Sequence, residues 1–550
     1  MPAITTSQMK GHEAVAHALR DLGVEVLFGL IGDANLYAVD CYAGRLGGRF
    51  VAVANEATSV AAALGYAQVS GKVGVASVTH GPALTNTLTA LIEGVKTTVP
   101  MVLIAGDTAV DERDHLQKIN QREFIMATGA GFELARAPST LVEDMARAFR
   151  RAALEYRPIV FNIPVEWQWK DVEYRKPVVY LPENRALVPS SEELDNAIGI
   201  IAAAKRPLVL GGRGAMAPEA EDAMVRLAAR VEAPLATTLR ASGLFADDPF
   251  NLGVCGTMAT EAGLEIILSA DCIIAFGASL NKFTVAKGTI LEGKRVIQVN
   301  LERGEVGKHY LPEAGLVGDP ALTADAITRW LDEAEIQPSG FRDDEMKRKV
   351  AAAQPLPRPY GKPQPGTVDI VTALARLDAA IPADRVLATD VGRFTCIGWG
   401  AFKVRRPRSF VYGLGYGAIG LGLGEAIGAA EAAEGRPTVL VTGDGGFMLG
   451  GLTEFNTAVK ARSDLIVIVC NDGGYGAEHV QFTAKDMDPS LSILDWPDLA
   501  PVAAALGGQA MTVRSPEDLE AAAKAVAERD RKQPILIDIK LDPHCIPILY

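Results

Sequence analysis

The sequence predicts an α/β protein made of three doubly wound parallel-sheet domains. Short apolar runs rich in β-branched residues alternate with amphipathic helical stretches, a pattern typical of parallel sheets covered by helices. The alternation restarts twice, and a chain of 550 residues is too long for one hydrophobic core. We therefore expect domains at 1–180, 190–340 and 367–550, with a linker at 341–366.

The apolar runs are the predicted strands of these domains. A polar, proline-spaced stretch ends the first domain, and five prolines within 355–365 favour an extended tether in the linker. The predicted strands lie at 26–30, 51–55, 73–79, 101–106 and 159–164 in the first domain, at 207–212, 233–238, 271–277 and 295–300 in the second, and at 385–390, 409–413, 438–446, 465–472 and 534–541 in the third.

Composition excludes several classes of partner. A net charge of -13 and a pI near 5.2 repel nucleic-acid phosphates and anionic membrane surfaces. No apolar run is long enough to span a bilayer, and the N-terminus shows no secretory signal. The six cysteines form no CxxC pair, which argues against a zinc knuckle or a dense disulfide framework. We expect a cytoplasmic protein that binds neither nucleic acid nor membrane.

Two acidic clusters follow apolar strands in the third domain. Asp444 lies in a GDGG segment and Asp472 in an NDGGYG segment, so both should lie at the carboxyl edge of a parallel sheet. Glycines let backbone amides approach a phosphate, and carboxylates with the Gly474 carbonyl suit Mg²⁺. Taken singly, each segment could be only a turn, because Gly and Asp dominate turns.

Taken together, the two segments resemble the cofactor motif of thiamine-diphosphate-dependent enzymes. A GDG is followed after 25 residues by an Asn-Asp pair that ends an apolar strand. The family ends this motif in two asparagines, whereas this chain has Asp472, which adds negative charge beside a diphosphate. The resemblance implies Mg²⁺ ligands at Asp444, Asp472 and Gly474, with Asn471 as the alternative side chain. It also implies cofactor contacts at Gly443, Gly445, Gly446 and Tyr475.

Glu56 stands directly after an apolar run and before an Ala-rich helix. The segment resembles the family's activating-glutamate segment, in which a glutamic acid bonds the aminopyrimidine ring nitrogen and favours the imino tautomer. A buried carboxyl with a raised pKa could share its proton in this way. A glutamate that merely starts a helix is the alternative.

The resemblance covers essentially the whole chain and is closest to acetolactate-synthase-like and benzaldehyde-lyase-like enzymes. Its segments 389–400 and 411–430 place Gly392 near the cofactor and Ile419 beneath it, although Ile419 could equally be a core residue. In this family the active site lies between the pyrimidine domain of one subunit and the diphosphate domain of its partner. The resemblance therefore implies a dimer or tetramer.

Three further segments should face the reacting carbon if the resemblance holds. They offer Asp33, His80, His115, Gln117 and Gln121. Gln117 matches the benzaldehyde-lyase-like glutamine and Gln121 the acetolactate-synthase one, and we favour Gln117. Asp33 and Glu478 resemble the acid pair of pyruvate-decarboxylase-like enzymes, whose His-His pair is half present as Asp114-His115. Turn, core or solvated roles are the alternatives for each residue.

The second domain is similar to those that hold FAD or an adenine nucleotide such as ADP, but its GGRGAM segment does not decide whether either is bound. Acetolactate synthases place an arginine after a central-domain strand to hold the acceptor carboxylate. This chain has Phe283 there, with Lys282 beside it. Biosynthetic acetolactate synthesis is therefore not the expected activity.

The resemblance implies a lyase or carboligase that acts on a 2-oxo acid or a hydroxyketone, by decarboxylation or ligation through an enamine. An acyl-CoA lyase or decarboxylase and a flavin-dependent oxidase of pyruvate type are the alternatives within the family. A scaffold that has lost the chemistry is the non-enzyme alternative, which the intact Glu56, Asp444 and Asp472 disfavour.

Overall fold

The computed structural model describes residues 7–181, 187–354 and 361–546, and it confirms three six-stranded parallel sheets flanked by helices. The described residues group into two compact units. One unit contains the first and third sheets, from within 1–181, 359–398 and 411–547. The other contains the second sheet, from within 182–358 and 399–410.

The first sheet has the strand order β3-β2-β4-β5-β7-β6, and a separate antiparallel pair joins β1 to β8. The strands of the first domain, including that separate pair, are β1 Ser7–Lys10, β2 Val26–Gly29, β3 Arg49–Ala52, β4 Gly74–Val78, β5 Met101–Asp107, β6 Gly131–Leu134, β7 Pro158–Pro164 and β8 Asp171–Tyr174. Its helices are α1 Gly11–Asp21, α2 Leu36–Asp40, α3 Glu56–Ser70, α4 Pro82–Thr85, α5 Leu88–Lys96, α6 Gln121–Thr128 and α7 Leu141–Glu155.

The second sheet has the order β11-β10-β9-β12-β13-β14, which is the dinucleotide-fold order 3-2-1-4-5-6. At its switch point the loops after β9 and β12 bond to each other, with Gly214 N donating to Gly277 O at 3.0 Å. The strands are β9 Pro207–Gly211, β10 Leu235–Thr237, β11 Asn251–Val254, β12 Cys272–Phe276, β13 Arg295–Asn300 and β14 Ala314–Val317. The helices are α8 Ser191–Ala203, α9 Pro218–Val231, α10 Glu261–Ser269, α11 Pro320–Glu333 and α12 Asp344–Ala352.

The third sheet has the order β16-β15-β17-β18-β20-β19, the same winding as the first. Its strands are β15 Val386–Thr389, β16 Phe410–Tyr412, β17 Thr438–Gly443, β18 Leu465–Asn471, β19 Gln509–Val513 and β20 Ile535–Lys540. Its helices are α13 Ile370–Asp378, α14 Thr395–Ala401, α15 Gly422–Glu431, α16 Asp444–Gly446, α17 Leu452–Ala461, α18 Gly476–Thr483, α19 Leu499–Ala505 and α20 Pro516–Glu528.

Helices α3 and α15 cross at close range and join the first and third sheets into one core. Both helices are rich in alanine and glycine, and the residues at the crossing are buried. A Cβ added at Gly65 would overlap the backbone of Glu425, and one at Gly428 would overlap the backbone of Ala62. The small residues are therefore what allows the two backbones to approach so closely.

The linker prediction is wrong for its first part. Helix α12 lies inside the predicted linker, because the Asp343 side chain accepts a hydrogen bond from Met346 N at 2.7 Å and the Met346 side chain is buried. The other side chains of this helix are mostly charged and exposed, so the sequence of this segment resembles that of a solvated linker. The linker residues 355–360 lie outside the described residues. Within the described ranges, no helix combines the length and apolar character needed to cross a membrane.

Candidate active site

Three neighbouring strands of the third sheet end at one edge and carry the acidic residues there. Strand β15 leads into Asp390, β17 into Asp444, and β18 into Asp472. The winding reverses between β15 and β17, which is the crevice where open α/β sheets bind ligands. Three buried carboxyl side chains therefore converge on the switch point.

Asp444 and Asp472 are two buried carboxyls that act on each other electrostatically. The residue exposure of Asp444 is 1%, and its Oδ2 is buried without a hydrogen-bond partner. Burial, and after it the charge of Asp472, raises the pKa of Asp444 to about 8, although the backbone N–H groups of Gly445 and Gly474 oppose the rise. Burial also raises the pKa of Asp472. Such a pair favours a bound cation, because each carboxylate is costly while the other is ionised.

Arg393 is the charged partner of Asp472. Its Nε donates to Asp472 Oδ2 at 2.8 Å, and its Nη2 lies 2.6 Å from the same oxygen. The two side chains are only 3% and 7% exposed. Arg393 opposes the rise in the pKa of Asp472, so this carboxyl ionises more readily than burial alone would allow.

Glycines leave a cradle around this acidic pair. A Cβ on Gly445 would lie 2.7 Å from the Tyr475 ring and 3.7 Å from the Gly474 carbonyl oxygen, so that carbonyl faces the GDGG turn. A Cβ on Gly446 would come within 2.6 Å of Asp390 Oδ2. Gly443 ends β17 and packs on the Phe394 ring, 2.9 Å from a Cβ placed there. The backbone is therefore the surface presented at this turn.

Gly392 lies against the same ring, since a Cβ there would lie 2.8 Å from Phe394 Cδ1. Beyond the turn, the helix that starts at Asp444 contains a π-helical segment at Phe447–Gly451. Segments of this kind occur frequently at functional sites.

Asn471 does not share the contacts of the acidic pair. Its Nδ2 donates to Asp538 Oδ1 at 2.8 Å, and its Oδ1 accepts from Gly473 N at 3.2 Å. These bonds hold the end of β18 against β20. Asp472, the next residue, carries the carboxyl whose charge raises the pKa of Asp444.

Asp390 holds the loop that carries Ile419. Its two carboxyl oxygens accept from Gly420 N at 3.1 and 3.0 Å, and Oδ1 also accepts from Val391 N at 2.8 Å. Burial raises the pKa of Asp390 to about 6. Ile419 is half-buried. The loop that presents Ile419 is thus fixed to the end of β15 by a buried carboxyl.

Glu56 is the first residue of α3. Asn55 caps the helix by accepting from Ala57 N at 2.9 Å, and Glu56 Oε2 accepts from Asn86 Nδ2 at 3.0 Å. None of the contacts described for the chain joins Glu56 to the acidic pair. The crossing of α3 with α15 fixes the helix that presents this carboxylate.

The predicted substrate residues gather at the switch point of the first sheet, between β2 and β4. Thr79 Oγ1 donates to Asp33 Oδ1 at 2.7 Å, and His80 Nδ1 lies 3.6 Å from the same oxygen. His80 is 1% exposed, and its Nε2 has no hydrogen-bond partner among the described residues. Burial lowers the pKa of His80, and Asp33 opposes this shift. The His115 ring lies 5.3 Å from the His80 ring.

The two glutamines have different surroundings. Gln121 is buried, and its amide bridges two backbones: Oε1 accepts from Gly81 N at 2.8 Å and Nε2 donates to Gly106 O at 2.9 Å. Gln117 is half-buried and lies against Gly81, whose φ is +59°. The Gln121 amide is used in hydrogen bonds that brace the loop after β4, whereas the Gln117 side chain forms no hydrogen bond with the residues that the structure describes.

Glu478 is exposed in the first turn of α18, far along the chain from Asp33. The neighbouring His479 is buried, with its Nδ1 3.2 Å from Ser492 Oγ. No contact between Asp33 and Glu478 is among those the described residues make.

Arg393 and Asp390 are the site residues that sequence reasoning missed. Both lie in the TDVGRFT segment, which was used only for its resemblance. The sequence did contain a signal for Arg393: the family motif that the chain resembles ends in asparagine, and an aspartate at that place adds a buried charge that needs a cation. Among the described residues no cluster of three or more His, Cys, Asp or Glu could hold a metal, so a metal here needs backbone and ligand oxygens as well.

Comparison with known protein families gives three matches that follow one another along the chain. The model described as "Thiamine pyrophosphate enzyme, N-terminal TPP binding domain" matches residues 9–124. The central domain of the same family matches residues 194–327, and its C-terminal TPP binding domain matches residues 390–539. The acidic pair lies within the third match.

Curated relatives match nearly the full length. The chain is 29% identical over 535 residues to the probable 2-ketoarginine decarboxylase AruI of Pseudomonas aeruginosa, covering 94% of this chain and 92% of that protein. It is 27% identical over 546 residues to the acetolactate synthase isozyme 2 large subunit of Escherichia coli, covering 97% and 96%. It is 26% identical over 571 residues to the sulfoacetaldehyde acetyltransferase of Castellaniella defragrans, covering 96% and 93%.

Proposed function

This chain belongs to the thiamine pyrophosphate enzyme family, and from that membership we propose that it decarboxylates a 2-oxo acid at a site that also holds Mg²⁺. It is a thiamine-diphosphate-dependent decarboxylase or carboligase. The choice of a 2-oxo acid rests chiefly on the buried His80, which stands beside Asp33 at the switch point of the first sheet with an unbonded Nε2.

The residues of the third domain fit a metal-bound diphosphate. Asp444 has an unpartnered buried oxygen, and the Gly445 turn leaves room for oxygens that a Cβ would displace. We propose that Asp444, Asp472 and the Gly474 carbonyl hold Mg²⁺, because hard oxygen donors suit this ion. When bound, thiamine diphosphate supplies the electron sink that stabilises the carbanion left by carbon–carbon cleavage.

Side chains of this protein would position the cofactor and transfer protons to and from the reacting groups. Glu56 would exchange a proton with the pyrimidine ring nitrogen, and Ile419 would support the cofactor from the loop that Asp390 fixes. His80 would hold a proton at Nε2 for the carbonyl oxygen of the substrate, with Asp33 near its Nδ1. A buried, neutral imidazole of this kind is suited to proton transfer near neutral pH.

The surroundings of His80 favour a substrate whose tail carries positive charge. Asp33, Asp107 and Glu112 all act electrostatically on His80, and each raises its pKa. The segment 107–120 contains four carboxylates against one arginine and one lysine. The relative named a probable 2-ketoarginine decarboxylase agrees with such a substrate. We therefore propose a 2-oxo acid with a basic tail, because opposite charge attracts and orients it.

Carboligation of the same intermediate is the second candidate. It is favoured by the available side chain of Gln117, since Gln121 is committed to the backbone. A glutamine amide near the reacting carbonyl could orient an acceptor aldehyde or ketone by hydrogen bonds.

The test of the function begins with metal-free protein titrated with thiamine diphosphate and Mg²⁺, and continues with single 2-oxo acids. Carbon dioxide release should be faster with 2-oxo-5-guanidinopentanoate than with pyruvate, and His80→Asn should reduce it. An aldehyde product identifies simple decarboxylation, and a hydroxyketone identifies ligation. Saturable cofactor binding without carbon dioxide release from any 2-oxo acid would refute the proposed substrate class.

We also propose a dimer or tetramer in the cytoplasm, with Glu56 of one subunit facing the acidic pair of another. The support is that Glu56 contacts Asn86 rather than the acidic pair within one chain, and that all six cysteines are free thiols. Inactive Glu56→Gln and Asp444→Asn proteins should regain activity when they are mixed and allowed to exchange subunits. No regain after proven exchange would place the whole site in one chain.

A further inference from the structure

Arg393 and Asp472 form a buried ion pair that spans the candidate diphosphate site. Arg393 follows β15 and Asp472 follows β18, and β17 lies between these two strands in the sheet. The guanidinium therefore reaches across the end of β17, which carries Asp444. Both of its contacts are to Asp472 Oδ2, at 2.8 Å from Nε and 2.6 Å from Nη2, so Oδ1 is not used by the guanidinium.

The surrounding backbone is shaped to this pair. A Cβ on Gly476 would overlap Asp472 Oδ2 and would lie 2.6 Å from Arg393 Nε. Glycine at the start of α18 is thus the residue that leaves room for the contact. With both side chains less than a tenth exposed, the pair is part of a packed interior and not a surface contact.

The charges at this edge of the sheet explain why the pair is needed. Two buried carboxylates side by side, Asp444 and Asp472, would present two negative charges to an anionic diphosphate. Arg393 cancels the charge of Asp472, so Asp444, Asp472 and Arg393 together carry one net negative charge. An aspartate at 444 with a neutral asparagine at 472 would carry the same net charge. Removing one partner of a buried pair leaves an uncompensated charge, which is strongly unfavourable.

We propose that Arg393 is a positioning residue for the Mg²⁺-diphosphate site, acting through Asp472 to offset its charge and to direct its other carboxylate oxygen, Oδ1, toward the metal. This inference rests on the proposed Mg²⁺ site. It follows that Arg393 and Asp472 can be replaced together: neutral side chains at both positions should retain the affinity for the cofactor.

The test is a double-mutant cycle of wild type, Arg393→Gln, Asp472→Asn and the combined variant. The measurement is the dissociation constant for thiamine diphosphate at saturating Mg²⁺, by titration calorimetry. Arg393→Gln should weaken binding about 10- to 100-fold, the usual effect of removing a partner of a metal ligand. The combined variant should bind within about threefold of wild type, because coupled residues are not additive.

A matched control lies at the other end of strand β18. Arg529 Nη2 lies 2.6 Å from Asp464 Oδ1, and the Arg529 side chain is 4% exposed. Arg529→Gln also breaks a buried ion pair of the same domain, but away from the candidate site. It should lower thermal stability while leaving the dissociation constant for the cofactor within about twofold of wild type.

Wild-type affinity in Arg393→Gln would overturn the proposal, and so would a combined variant as weak as Arg393→Gln. If Arg393→Gln fails to fold while the combined variant folds and binds, the pair is confirmed as a unit; if neither folds, the proposal is refuted. These failures leave the Mg²⁺ site intact. Thiamine diphosphate binding that needs no Mg²⁺ in wild type would instead refute the metal site, and this inference with it.

Discussion

Replacing Gly428 by alanine tests the helix crossing that fixes Glu56. A Cβ at Gly428 would lie 2.5 Å from the carbonyl carbon of Ala62 and 2.8 Å from its Cα, whereas ordinary contact begins at 3.4 Å. Because the closest overlap is with the carbonyl oxygen of Ala62, helices α3 and α15 would have to separate by about 1.5 Å. Overpacking against the backbone lowers the free energy of unfolding by about 3 kcal/mol, and the better helix propensity of alanine offsets about 1 kcal/mol of this. The net destabilisation is therefore about 2 kcal/mol.

The assay is differential scanning calorimetry of the metal-free protein. For a unit that spans the first and third domains, a loss of about 2 kcal/mol corresponds to a Tm lower by about 2–4 °C. Gly199→Ala is the matched control, because Gly199 lies within α8 and a Cβ there meets nothing within 4 Å. That change should raise stability by about 0.5–1 kcal/mol. A Gly428→Ala protein with unchanged or higher Tm would refute the argument that glycine is required by close backbone approach.

Three further predictions concern the carboxyl groups. Glu56→Gln should abolish cofactor-dependent turnover while the calorimetric affinity for thiamine diphosphate stays within about threefold of wild type, because Glu56 is expected to contact only the pyrimidine ring; unchanged turnover would remove Glu56 from the mechanism. Asp444→Asn should weaken Mg²⁺-dependent cofactor binding by at least about tenfold without lowering the Tm of the metal-free protein, since it removes a costly buried carboxyl; a large fall in Tm would contradict this account. The raised pKa of Asp390, about 6 against 3.8, means that the folded chain binds its proton more tightly than the unfolded chain. Its stabilisation is full below about pH 4 and is lost as pH rises through about 6, a change of about 3 kcal/mol. Relative to wild type, Asp390→Asn should therefore gain stability between pH 4 and pH 7 in thermal unfolding, and parallel pH profiles would refute the assignment.

The interior strands were predictable from the sequence and several edge strands were not. The predicted strands include every interior member of the three sheets, where both faces are buried and the sequence is a continuous apolar run, together with the edge strands β3 and β16. Within the six-stranded sheets, the missed strands are β6, β11, β14 and β19, and each stands at a sheet edge. Strands such as β19 are half-exposed and lack a continuous apolar run, so their pairing depends on the neighbouring strand.

In the candidate site, too, some features were predictable from the sequence and others were not. Asp444 and Asp472 were predictable because each follows a buried strand of the same parallel sheet, and the structure brings them into electrostatic contact. The partners of these residues were not predictable, since Arg393 is 79 positions from Asp472 along the chain. The bracing role of Gln121 was also hidden, because it depends on where Gly81 and Gly106 lie in space.

The three α/β domains, the family, and the strand ends that carry the acidic residues could all be predicted from the amino-acid sequence. This was possible because apolar runs, glycines and acids adjacent to strand ends are local properties of the chain. Only the folded structure shows which charged groups form ion pairs, which glutamine is hydrogen-bonded to the backbone, and how closely α3 and α15 approach each other. Those outcomes depend on packing between segments distant in the chain, where burial sets the energy of each charge and a single methyl group decides whether two backbones fit.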